Sequence, residues 1–154
     1  EVAGLAPNKS GDERFYNNIF VGEADLGGYN KAKLPVWMDG NVFLNGAKPC
    51  KTEEEPLLLP EFDPSLNMVE KSGSWFLELT SDKAWSASRP NKLITTELLG
   101  IVEIPGLPYV KPDGKSYFID KDYNGLKRNS DNPFAGPFAI TDGGKRLIKV
   151  WPLE

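Results

Sequence analysis

The sequence contains no histidine and a single cysteine. The first absence removes imidazole as general acid or base, the Ser-His-Asp and Cys-His nucleophile systems, and His-ligated metal centres. The second removes an internal disulfide, a paired-cysteine redox centre and any multi-cysteine zinc or iron–sulfur site. Cys50 follows Pro49 and has neither a base nor a second thiol beside it, so it reads as incidental. Positive charge is also scarce: 18 Lys and Arg against 22 Asp and Glu leave a net charge of −4. A chain of this sign lacks the electrostatic footprint of a nucleic-acid binder and is not drawn to an anionic membrane surface. No stretch approaches the run of about 18 apolar residues that spans a bilayer. Gly27-Gly28 and Gly143-Gly144 lack the Lys-Ser/Thr or GxGxxG context of a phosphate-cradling loop. Carboxylates, Lys, Arg, Tyr and hydroxyls are left for any chemistry.

Turn formers, by contrast, are abundant. The 15 Gly and 13 Pro among 154 residues exceed the usual combined share of about 12%. Many turns and few long helices follow. The length suits one domain or two small ones, with a core that needs no metal or disulfide staple. The chain opens Glu1-Val2-Ala3-Gly4, with neither Met nor a signal peptide, which predicts a piece of a longer protein. Residues 1–14 are polar and aperiodic, and Asn8-Lys9-Ser10 fits a glycosylation sequon.

Phe15-Tyr16-Asn17-Asn18-Ile19-Phe20-Val21-Gly22 is the first strand-like run. Its Asn pair suits a tight corner, because Asn tolerates left-handed backbone angles. Met38-Asp39-Gly40-Asn41-Val42-Phe43-Leu44-Asn45-Gly46 repeats the arrangement of Asn, apolar strand and Gly. The spacing is that of one coil of a β-solenoid, and two unrelated strand–turn units account for it equally well. Glu53-Glu54-Glu55 reads as a solvated face, and Leu57-Leu58-Leu59, held between Pro56 and Pro60, cannot be a long central strand. An internal boundary is expected between about residues 50 and 66. Beyond it, Met68–Glu70 and Trp75–Thr80 predict a hairpin with Trp75, Leu77 and Leu79 on one face. Ser81–Trp85 suits one helical turn. Lys92–Ile104 predicts two strands or a bent one, Ser116–Ile119 a short strand, and Lys145–Trp151 the closing strand. The fold class is all-β, with short strands and many turns, and the second part reads as a small sandwich.

Two residue sets point to binding. Aromatic faces stack on sugar rings while acidic or amide neighbours bond the hydroxyls. Trp37 and Trp85, near loops, and Tyr109, on an extended segment, are the candidate carbohydrate-binding residues, whereas Trp75 and Trp151 read as core or half-buried. Asp120-Lys121-Asp122-Tyr123-Asn124-Gly125, with Asp131 at the twelfth position, matches the first half of a Ca2+ loop. Asp120, Asp122, Asn124 and Asp131 would be the ligands. Against this, Asp replaces the usual final Glu, and Asn132-Pro133 prevents an exiting helix; an ordinary Asp/Asn/Gly turn, with Arg128 pairing a carboxylate, explains the same residues.

Arg14–Gly22 resembles a late rung of a right-handed parallel β-helix. Leu93–Gly100 and Ile119–Arg128 resemble the segments that close such chains. From about residue 14 onward, the order of these phrases is similar to the C-terminal region of bacterial β-helix glycoside hydrolases. The resemblance implies terminal β-helix-like rungs and loops over residues 1–50 and a β-sandwich-like module over 51–154. It implies a non-catalytic capping or accessory module of a secreted polysaccharide-degrading enzyme, located outside the cytoplasm in the periplasm, at the cell surface or in the medium. Its partners would be the rest of the parent chain and, through the aromatic residues, glycan. The catalytic carboxylates of such enzymes are expected on central rungs that this sequence does not contain, so no catalytic residue is assigned. The alternatives are a calcium-stabilised adhesion module and a fragment that contributes to a glycosidase site.

Overall fold

The structure is a computed structural model that describes residues 10–87, 90–140 and 142–153; Asn8 and Lys9 of the sequon lie outside it. Strands β1 (Glu13–Tyr16) and β2 (Ile19–Val21) meet at a corner where Asn17 adopts a φ of 56°. Asn is among the few non-Gly residues for which this is common. Strands β3 (Val36–Asp39) and β4 (Val42–Leu44) meet at Gly40, whose φ is 74°. The left-handed backbone angle favours glycine, and a Cβ there, 2.3 Å from Asn17 Oδ1, would also push that side chain aside. Strands β5 (Glu53–Glu54) and β6 (Leu57–Leu59) form a third, shorter pair.

These pairs stack in parallel. Glu13 lies beside Val36, Ile19 beside Val42 and Asp25 beside Lys48, a return of 23 residues each time. The next return is shorter: Met38 lies beside Glu53 and Val42 beside Leu57, 15 residues on. The two Asn-led phrases are therefore neighbours in register. A 3-10 helix, Leu26–Lys31, carries the chain from the first pass to the second. On β2 and β4 the side chains alternate. Phe20 and Phe43 stack at 5.1 Å, while Val42 and Leu44 join the core on the other face.

The second part begins with the hairpin β7 (Asn67–Lys71) and β8 (Ser74–Ser81). Two single-turn helices, α1 (Ala84–Ala87) and α2 (Thr96–Leu99), and the short pair β9 (Ile101–Val102) and β10 (Leu107–Pro108) follow. The last strand, β11 (Gly144–Trp151), returns to β8, giving an antiparallel sheet in the order β11-β8-β7. Its face packs on the parallel layer: Leu79, Trp85, Phe138 and Ile140 share one core with Val42 and Leu44, flanked by Leu57, Leu59, Leu77 and Ile148. The chain is all-β. Among the described residues, no helix is long and apolar enough to cross a membrane.

Several expectations change. Parallel pairing continues through Leu59, so the switch of pairing falls at residues 60–66, at the far end of the expected interval of 50–66. The Pro-bounded Leu57-Leu58-Leu59 is long enough for a terminal strand. Among the described residues, the layer that faces the antiparallel sheet across the core is β2-β4-β6 of the parallel stack, and not a second sheet from residues 51–154 alone. Within Lys92–Ile104, Thr95 caps a helical turn by accepting from Leu98 N at 3.1 Å, and Gly100 ends it at φ 72°. Ser116 and Phe118 make single bridges, to Val110 and Thr95, and not a strand.

Candidate functional site

Sheet β1-β3-β5 has two faces of different chemistry. Phe15, Met38 and Glu53 are in register on one face, and Met38 and Glu53 are buried. Glu53 is not a solvated residue: its Oε2 accepts from Asn41 Nδ2 at 2.6 Å and its Oε1 from Asn41 N at 3.1 Å. It falls at an inward position of β5, and Asn41 supplies the bonds that burial demands. Asn41 is itself buried. It donates to Phe15 O at 2.6 Å and accepts from Asn18 N and Nδ2 at 2.8 and 3.0 Å, tying the corners of adjacent passes together.

By strand alternation the opposite face carries Arg14 and Tyr16 from β1, Trp37 and Asp39 from β3, and Glu54 from β5. Arg14 is beside Trp37, and Tyr16, Asp39 and Glu54 form one row. A groove of about 510 Å³ runs along this face, lined by Tyr16, Trp37, Asp39, Glu54, Lys51, Thr52, Lys92 and Leu98. That volume is in the range of small-molecule clefts. Lys92 Nζ reaches Asp39 Oδ2 at 3.2 Å, and burial raises the Tyr16 hydroxyl above its ordinary pKa.

Arg14 organises one end of the groove. Its guanidinium lies 3.8 Å from the Trp37 ring centroid and 4.9 Å from that of Tyr109. The same group donates to Leu99 O at 2.9 Å and Ile101 O at 2.7 Å, and pairs with Asp12. Asp12 Oδ2 accepts from Glu103 N at 3.0 Å. The hydrogen bond from Arg14 holds the Asp12 carboxyl below the usual carboxylate range. Segment 99–109 is thereby clamped against the first strand, so distant parts of the chain build one site.

Trp37 and Tyr109 are therefore brought together, though they are 72 positions apart in the sequence. Trp85 is not with them. It is 6% exposed, meets Phe62 edge-on at 5.8 Å, and belongs to the core. Beside the short α1 turn, its ring packs in the core that the two layers share.

Nor do the expected calcium ligands converge. Among the described residues, no group of three or more acidic, His or Cys side chains is placed to hold a metal. Asp122 is buried, and its oxygens accept from Asn124 N, Leu126 N and Ala139 N at 2.9, 2.8 and 3.0 Å. Its carboxylate organises a turn. Arg128 donates to the carbonyls of Lys121, Phe134 and Gly136 at 3.1, 3.0 and 2.9 Å, bracing the same loop. Asp131 is exposed beside Ser130, accepting from its Oγ at 3.4 Å.

Sequence reasoning missed Tyr16, Asp39, Glu54 and Lys92 as groove residues and Arg14 as the group beside Trp37. The signal for Arg14, Tyr16 and Asp39 lay in reading Glu13-Arg14-Phe15-Tyr16 and Val36-Trp37-Met38-Asp39 with a two-residue period at the 23-residue return.

No family model matches this sequence, and no curated protein matches it. The chain is similar to XylC. That structure, the complex of XylC with xylose, superposes with a TM-score of 0.82 at 28% sequence identity. The match covers 92% of this chain and 26% of the XylC chain. This chain thus spans about a quarter of the length of XylC.

Proposed function

We propose that this chain is a non-catalytic C-terminal accessory module of a secreted, polysaccharide-degrading β-helix enzyme of the glycoside hydrolase kind. Its three passes would be the last coils of a right-handed parallel β-helix. The outward face of β1-β3-β5 would contact glycan. The observation that carries this reading is the likeness to XylC, solved with xylose, over 92% of this chain. The parallel returns and the aromatic, acidic groove support it. Trp37 and Tyr16 would offer ring surface to a sugar, and Asp39, Glu54 and Lys92 would bond its hydroxyls. Arg14 would hold Trp37 and Tyr109 in place. The partners are the rest of the parent chain and a glycan, with pentose polymers the first class to test. The module would work outside the cytoplasm.

The test is a titration of the chain with xylose, xylo-oligosaccharides and a panel of other plant oligosaccharides, followed by calorimetry and Trp fluorescence. Saturable binding that Trp37→Ala abolishes is expected, with no hydrolysis by the chain alone. Silence across the panel removes the glycan role. Hydrolysis by the isolated chain removes the non-catalytic assignment.

A further inference from the structure

The parallel stack treats its two outer edges differently. The last edge is built from strands of two and three residues, with Pro56 before Leu57 and Pro60 after Leu59. Short strands, charge and proline are the usual devices that stop a sheet from growing. The first edge lacks the prolines, although β2 is also three residues long and β1 carries Glu13 and Arg14. No proline falls between Glu13 and Val21, and among the described residues no strand pairs with the outer side of β1 or β2. Phe15, Ile19, Phe20 and Val21 are partly exposed there, whereas their second-pass neighbours Met38, Val42, Phe43 and Leu44 are buried.

The antiparallel sheet also carries an apolar face that is covered over only part of its length. On one face of β8, Leu79 is buried in the core and Leu77 packs against it. Both line an apolar cleft with Ile19 and Val21. The next residue on that face, Trp75, is 44% exposed, and its cross-strand neighbour Trp151 is 62% exposed. Met68, opposite Leu77, and Leu66, also in the cleft, are exposed too. Both tryptophans were expected to be core or half-buried; Trp75 is about half-buried and Trp151 more exposed, because the sheet outruns the layer beneath it. The apolar face is continuous from Leu79 to Trp75, but its cover ends at the first pass.

We infer that Trp75 and Trp151, with Met68 and Leu66, form the docking surface for one further parallel pass of the same polypeptide, seated on the open edges of β1 and β2. This rests on the reading that the chain ends a β-helix. An added pass would supply backbone partners to the free edge and, in the same step, cover the overhanging indoles. Leu77 and Leu79, on the face that leads to Trp75, line one cleft with Ile19 and Val21 of the first pass, which favours a strand that satisfies both.

Acrylamide quenching of Trp fluorescence tests this on the 154-residue chain and on the polypeptide extended by its natural upstream reading frame. The W75F/W151F variant of each isolates the signal of the pair. The pair is expected to be freely quenched in the shorter chain and quenched severalfold less in the longer one. W75A/W151A should lower the melting temperature of the longer polypeptide far more than that of the shorter. If β2 amides become protected in the longer chain while the indoles stay quenchable, the docking surface is wrong and the β-helix reading stands. If neither is protected, both fail. Protection in the shorter chain by xylo-oligosaccharide, or on raising protein concentration, would instead assign the pair to glycan or to a second copy and overturn the proposal.

Discussion

Phe20, Phe43 and Leu58 occupy one position in three successive passes, yet their surroundings differ. Phe43 is completely buried, Phe20 is partly so, and Leu58 is 49% exposed. Identical register does not give identical burial: a residue in a stack is buried by the passes on both sides of it. Among the described residues, only the middle pass has both. The first and last passes each lack a neighbour there, and only the last ends in a strand held between prolines, Pro56 and Pro60.

Alanine substitution along this row measures the difference. Phe43→Ala should cost about 3–5 kcal/mol in chemical denaturation. Phe20→Ala should cost roughly half of that and Leu58→Ala less than about 1 kcal/mol, in proportion to the surface each removes from water. Equal costs at the three positions would break the comparison.

Asn41 comes next. Asn41→Ala strips Glu53 of a buried partner and unlinks the two corners, so a loss of about 2–3 kcal/mol is expected. Asn18→Ala, at the more open first corner, should cost less.

Arg14 links the first pass to the second part of the chain. Arg14→Ala should cost about 2 kcal/mol and expose segment 99–103 to limited proteolysis, since it removes the donors to the carbonyls of Leu99 and Ile101. Arg14→Lys should not rescue it, because a single ammonium cannot reproduce the planar fork.

The smallest effect concerns pH. Asp12 is held below the ordinary carboxylate range by Arg14, and Glu78 by Lys145. Their folded pKa values lie below their unfolded ones. The stability they contribute is therefore complete above the unfolded value of about 4 and lost as pH falls through the folded values. Melting temperature should be level from about pH 7 to 5 and decline below about 4, and Asp12→Asn should make that decline shallower.

The all-β class, the hairpin and the closing strand were legible because two-residue alternation and Gly/Pro turns are local signals. The register of Asn18 on Asn41 was legible only as one of two options, because two copies are too few to establish a repeat. The groove was half legible. Trp37 and Tyr109 were visible as aromatics, but the Arg14 that joins them acts across a separation no local pattern records. Trp85 misled because its flanking turn signals a surface, while its ring fills the space between two layers. Asp122 allowed two readings because a calcium loop and a carboxylate that caps its own turn use the same Asp-x-Asp-x-Asn-Gly spacing; here backbone N–H groups bond its oxygens.

The contrast between the two edges is tested most directly by amide hydrogen exchange, read at β2 and β6 in this chain and in the polypeptide extended by its natural upstream reading frame. Protection at Ile19–Val21 should rise by at least about tenfold in the longer polypeptide, toward that of Val42–Leu44, while protection at Leu57–Leu59 stays as it is. Unchanged protection at Ile19–Val21, or an equal rise at both edges, would contradict the account.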